Sequence, residues 1–101
     1  MTGIELIAEE RARQISIGWT SEHDDTHAES DLAFAACYYA MPFSVRVDGV
    51  MVAPSDLYPD TWESTGAKRS SDRIRNLVKA GALIAAEIDR LQRRAVAAGE
   101  G

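Results

Sequence analysis

With 101 residues, 46% of them hydrophobic and 27% charged, the chain is expected to form one globular domain over 1–101, neither disordered nor collagen-like. Its net charge of -5 disfavours non-specific binding to a nucleic-acid backbone, which calls for clustered Lys and Arg. No apolar run approaches the roughly 20 residues that span a bilayer, and carboxylates enter "MTGIELIAEERARQ" too early for a signal peptide, so a cytoplasmic protein is expected, with no membrane partner.

Ile4, Ile7, Ala8, Ala12 and Ile15 recur at helical spacing with Leu6 beside them, which predicts a first helix over about 3–16 with an apolar stripe along that line. Gly18 suits the left-handed turn that ends it. A second helix is expected over about 25–40, with Asp24, Asp25 or Thr26 accepting hydrogen bonds from its free amides and Pro42 stopping it. Its segment "DLAFAACYYAM" turns Leu32, Ala35, Ala36 and Tyr39 inward. Cys37, the single cysteine, lies within that segment and reads as a small buried apolar residue.

The next stretch changes character. In "VRVDGVMV" the pair Asp48 and Gly49 stands between two valine-rich arms, a strong signal for a two-stranded hairpin with positive backbone angles at the turn. A hairpin of this size is marginal alone and is expected to lean on the helices or on another subunit. The loop that follows, within a hairpin-and-loop segment 43–68, is punctuated by Pro54 and Pro59, and Trp62 is its expected anchor against the body. Ser70 or Ser71 opens a last helix over about 70–94, where Ile74, Leu77, Val78, Ala82, Ile84, Ala85, Ile88 and Leu91 form a broad stripe expected to make the core. The fold class is therefore mainly α: about three helices in a bundle with a small β-hairpin insertion. One partner helix would not cover so broad a stripe, so a homo-oligomer is expected to complete the bundle.

Charge is unevenly placed. Residues 1–31 hold eight carboxylates against Arg11 and Arg13, whereas residues 68–94 hold eight bases against Asp72, Glu87 and Asp89. The plain explanation is that the first and last helices lie side by side and screen each other. The sharper one is a site in which acids hold a cation and bases hold a phosphate, with Arg75 and Lys79 gripping the phosphate and Trp19 beside the acids as a further ligand contact.

The acids concerned stand in "GWTSEHDDTH". On a helix His23 and His27 lie one turn apart on one face and Asp31 continues the line. Two imidazoles and a carboxylate suit a transition metal, and Asp24 and Asp25 with Glu29 suit magnesium or manganese, so His23, Asp24, Asp25, His27 and Asp31 are the candidate metal ligands. The motif by itself is weak: a zincin helix carries Glu directly after its first histidine, where this chain has Asp24. The same stretch also reads as an ordinary helix start, capped by Asp24 or Asp25, with surface histidines. Nucleophilic catalysis has no support, since no nucleophile elbow and no Gly-rich phosphate loop is present.

"ERARQ", "EHDDTH" and "LVKAGALIAAEIDRL" carry a resemblance to a family of small uncharacterised proteins of tailed bacteriophages and prophages, covering the first 41 residues and the last 25 or so. More distantly, "ERARQ" and the alanine-rich last helix resemble MazG-like, all-α nucleotide pyrophosphohydrolases. Those enzymes hold magnesium against a nucleoside triphosphate with paired carboxylates on two helices. This chain departs from that scheme, because "NLVKAGA" places Lys79 where a second acidic pair is wanted. The resemblance implies a phage or prophage protein in the cytoplasm of the bacterial host. It would bind a nucleotide or other phosphorylated small molecule, with magnesium or manganese if it is a metal-dependent pyrophosphohydrolase. The alternative is a non-catalytic counter-defence protein that sequesters a nucleotide signal or inhibits a host defence protein.

Overall fold

The computed structural model describes residues 1–18, 30–59, 62 and 69–99. Among them are three α-helices, α1 (Gly3–Ser16), α2 (Asp31–Ala40) and α3 (Arg73–Ala97), with two strands, β1 (Val45–Val47) and β2 (Val50–Val52), and a 3-10 turn at Pro54–Leu57 inserted between α2 and α3. The chain is thus mainly α with a small hairpin. The expected helix start at Asp24 or Asp25 lies outside the described residues.

The core is the seam between α2 and α3. Leu32, Ala35, Ala36, Tyr38 and Tyr39 of α2 meet Ala80, Leu83 and Ala86 of α3, and all are buried. Alanines on both sides let the two helices approach closely, and the tyrosines then close the edge. Tyr38 stacks edge-on against Tyr39 and Tyr58 at 4.9 and 5.1 Å, and Tyr58 against Trp62 at 5.8 Å, so Trp62 anchors the loop on the core as its size suggested. The inward set on α2 is the expected one. Cys37 departs from expectation: with Ala36 and Tyr38 turned in, it falls on the opposite side of the helix and is exposed.

The chain stops α2 before Pro42, whose ring disfavours helical geometry in the preceding residue. The carbonyls left open there are satisfied from a distance, since Arg69 donates to the Met41 carbonyl and Arg73 to the Ala40 carbonyl. Two guanidinium groups at a helix C-terminus also suit its dipole. The hairpin forms as expected, with Asp48 and Gly49 at φ of 49° and 80° and Val45 opposite Val52, Arg46 opposite Met51 and Val47 opposite Val50. Of the two supports expected for it, the helices give little: Val45, Val47, Val50 and Met51 are exposed and only Val52 is half-buried.

At its start α1 carries a capping box, in which Thr2 Oγ1 accepts from the Glu5 amide at 3.2 Å and Glu5 Oε1 accepts from the Thr2 amide at 2.9 Å. The last helix begins later than its serines suggest. Asn76, buried, clamps Ser70 by accepting from its amide and donating to its carbonyl, each at 2.8 Å, which holds Ser70 outside the helix. Asp72 becomes the cap, accepting from the Ile74 amide at 3.0 Å, and the helix runs past Arg94 to Ala97.

Both outer helices turn differently from their apolar stripes. On α1 it is Glu10 and Gln14 that are buried, while Ile4 and Ile15 are exposed. On α3, Val78 and Ala82 are buried as expected, but Ile74, Leu77, Ile84, Ile88 and Leu91 stay in solvent and Asn76, Glu87 and Arg90 go in. The physical reason is partnering: the buried polar groups meet each other. Arg90 gives Nε and Nη2 to the Glu87 carboxylate at 2.6 and 3.2 Å, and Glu10 is tied to α3.

Candidate functional site

Glu10 is the centre of the cleft between α1 and α3. Its carboxylate accepts from Arg13 Nε and Nη2 at 2.8 Å each and from Gln14 Nε2 at 3.1 Å, and Arg75 Nη2 of α3 lies 2.8 Å from Oε1. Spacing explains the first two contacts, because Arg13 and Gln14 stand three and four residues beyond Glu10 and share its side of the helix. Burial pushes the carboxyl upward, but the hydrogen bonds and charges of Arg13 and Arg75 outweigh it and hold the group at about 2. One buried anion therefore orients two guanidinium groups that are themselves 48% and 37% exposed, and the trio is left with one net positive charge.

Those guanidinium groups line a cavity of about 660 Å³. Leu6, Ala12, Ile74 and Val78 give it an apolar wall, while Glu9, Ser16 and Asp72 add polar groups. Its size falls in the range of small-molecule sites, and so does its make-up, a mostly apolar wall with a few convergent charges. A guanidinium carries five N–H donors, so Arg13 and Arg75 keep donors beyond those given to Glu10, in the planar geometry that suits phosphate oxygens.

Lys79 stands one turn beyond Arg75 on α3, with Nζ 5.4 Å from the Tyr39 ring centroid. Burial lowers its pKa first, and the neighbouring positive charge of Arg75 adds to that, with Glu10 acting in the opposite direction. The Tyr39 hydroxyl, desolvated and beside Tyr58, is pushed up to about 12. The two bases expected to hold a phosphate are thus electrostatic neighbours at the α1 to α3 junction, although Arg75 is the one that lines the cavity.

Asp31 is placed elsewhere, in the first turn of α2, where with Phe34, Asp56, Tyr58 and Pro59 it lines a shallow depression. Trp19, His23, Asp24, Asp25 and His27 lie outside the described residues. Among the described residues no three His, Cys, Asp or Glu side chains gather in a way that could hold a metal ion. Glu10, Arg13 and Gln14 are the site residues that the sequence reading missed. Their signal was the spacing inside "ERARQ", an acid followed at three and four residues by a base and an amide, on the side of the helix away from its apolar stripe. Among the described residues no helix is long and apolar enough to cross a membrane.

Comparison with protein-family models, with curated proteins and with solved structures finds no match.

Proposed function

We propose that this protein binds a nucleotide or another phosphorylated small molecule in the cleft between α1 and α3. The observation that supports this most is the pair Arg13 and Arg75, held in place by a buried Glu10 at the wall of a 660 Å³ cavity. In this reading the phosphates take the free donors of the two guanidinium groups, and the base or other apolar part lies against Leu6, Ile74 and Val78. Lys79 adds positive potential next to the site without touching the apolar wall. Magnesium or manganese would enter bound to the phosphates, and Glu9 and Asp72 are carboxylates that line the same cavity.

From the resemblance to tailed-phage and prophage proteins we further propose that this binding serves in an infected bacterial cell, as sequestration of a nucleotide signal or as its hydrolysis. Its partners in this reading are the phosphorylated ligand and further copies of the same chain. A panel of nucleoside mono-, di- and triphosphates, with and without magnesium or manganese, tests it by thermal shift and product release together. At least one nucleotide raises the melting temperature of the parent, Arg75→Ala weakens that ligand at least tenfold, and Lys79→Ala weakens it a few-fold. Product release marks an enzyme, and a shift without product marks a binding protein. No shift from any nucleotide, or equal binding by Arg75→Ala, overturns the proposal.

A further inference from the structure

The face of α3 turned away from the core is the apolar one. Ile74, Leu77, Gly81, Ile84, Ile88 and Leu91 follow one another at alternating steps of three and four, the spacing that keeps a stripe facing a partner helix in a coiled coil. The five larger side chains are 63%, 45%, 49%, 51% and 47% exposed in that order. Together they make a patch on the order of 500 Å², at the upper end of what monomeric proteins leave in water. Two such patches joined remove about 1,000 Å² before any flanking contact is added, which is the threshold for a specific interface.

From this seam we propose that the protein is a homodimer in which α3 pairs with α3 of a second copy as a parallel, in-register, two-stranded coiled coil. Side-chain identity along the seam argues for that occupant. One set of positions holds Ile74, Gly81 and Ile88, and the other holds Leu77, Ile84 and Leu91. Isoleucine at the first set with leucine at the second is the combination that favours two parallel strands.

Gly81 is not a gap in this seam. A Cβ built on it would lie 2.5 Å from Ile7 Cδ1, so the side chain missing from α3 is replaced by one delivered from α1. The central layer of the dimer is then formed by Ile7 and Ile84 from each copy. Flanking charges agree with the orientation. A parallel pair sets Arg73 beside Val78, Ala80 beside Ala85 and Glu87 beside Gln92 of the second copy, and opposes no like charges. An antiparallel pair would set Arg73 against Arg94. The inference rests on the oligomeric part of the reading above, and because Ile74 and Val78 also line the cleft the seam borders the ligand site and is tested separately from it.

The full chain, without nucleotide, tests it in two ways. Light scattering and sedimentation at micromolar concentration give the mass of a dimer, and Ile88→Asp, at a position already half in solvent, raises the dissociation constant at least a hundredfold while helical circular dichroism is retained. In a Cys37→Ser background, Leu77→Cys and Leu91→Cys proteins each oxidise to a covalent dimer on their own, because parallel register places each residue against itself. A monomeric parent, an Ile88→Asp protein that stays dimeric, or Leu77→Cys and Leu91→Cys proteins that join each other but not themselves would each overturn the proposal.

Discussion

Arg75 Nη2 and Glu10 Oε1 lie 2.8 Å apart, and this contact joins the first helix of the chain to the last. The carboxylate is 1% exposed and the guanidinium 37%, so the acid is the structural member and the base is the one left able to meet a ligand. Removing one partner of such a pair costs more than the pair contributes, because the other is left with its desolvation uncompensated.

Acid stability follows from that pair. Glu10 is held at about 2 against an ordinary value of 4.5, so its contribution is fully present above about pH 4.5 and is lost as the pH falls toward 2. The partners are partly in solvent, which keeps the contribution to about 1–3 kcal/mol. Denaturant titrations of the parent between pH 7 and pH 2 are expected to show the loss over that window. Glu10→Gln is expected to be less stable at pH 7 and to show a flatter pH dependence.

Gly81 and Ile7 make a second, separable test. Alanine at position 81 would gain about 1 kcal/mol of helix propensity, but its Cβ would fall 2.5 Å from Ile7 Cδ1 and 2.8 Å from Cγ1. Overpacking of that kind costs about 1–3 kcal/mol. Gly81→Ala should therefore lower the melting temperature of the parent and raise that of an Ile7→Ala variant, a reversal of sign that a four-protein cycle of thermal melts reads directly.

The hairpin is expected to be dispensable for folding. Val45, Val47 and Val50 are exposed and its turn is set by its own residues, Asp48 and Gly49 at positive φ. Replacing residues 45–52 with a short flexible linker should retain the helical circular dichroism signal, whereas Gly49→Ala in the intact chain should cost the turn about 1 kcal/mol. Loss of helical signal on replacement would show that the hairpin supports the core.

Much of this fold was legible from local chemistry. The inward set on α2 and the Asp48 and Gly49 turn follow from residues acting on near neighbours, the anchoring role of Trp62 from its size, and the close approach of an acidic first helix and a basic last one from the opposite charge of the two segments. What was not legible is which face of α1 and α3 turns inward. Apolar periodicity pointed to Ile4, Ile15, Ile74 and Leu91, but the inward faces carry Glu10, Gln14, Glu87 and Arg90, which are paired at steps of three and four within their own helices, with Arg75 reaching Glu10 from the other helix, and a reading that follows only apolar residues passes over such polar pairs. The same effect hid the cleft: Arg75 was nameable as a base near a phosphate, while Glu10 and Arg13 looked like surface charges. The start of α3 was misplaced for a related reason, since the clamp of Asn76 on Ser70 passes the capping role to Asp72.

That cap gives a further prediction. Asp72→Ala removes the side chain that accepts from the Ile74 amide and is expected to cost about 0.5–2 kcal/mol. Asp72→Asn, which keeps an acceptor, should recover most of it. Equal loss from both substitutions in denaturant melts would mean that charge at the helix start, rather than the cap, carries the effect.

The most direct measurement of the central claim is nuclear magnetic resonance of the arginine side-chain Nε–H signals while a nucleoside triphosphate, and separately inorganic pyrophosphate, is titrated into the labelled protein. Arg13 Nε–H is already fixed on Glu10 at 2.8 Å, so its signal is a reporter held in place before ligand arrives. The account predicts saturable shifts at Arg13 and Arg75, larger than those at Arg46 on the hairpin or Arg94 near the end of α3. Shifts that never saturate, that appear equally at all arginines, or that leave Arg13 and Arg75 unmoved while others respond would contradict a phosphate site in the cleft between α1 and α3.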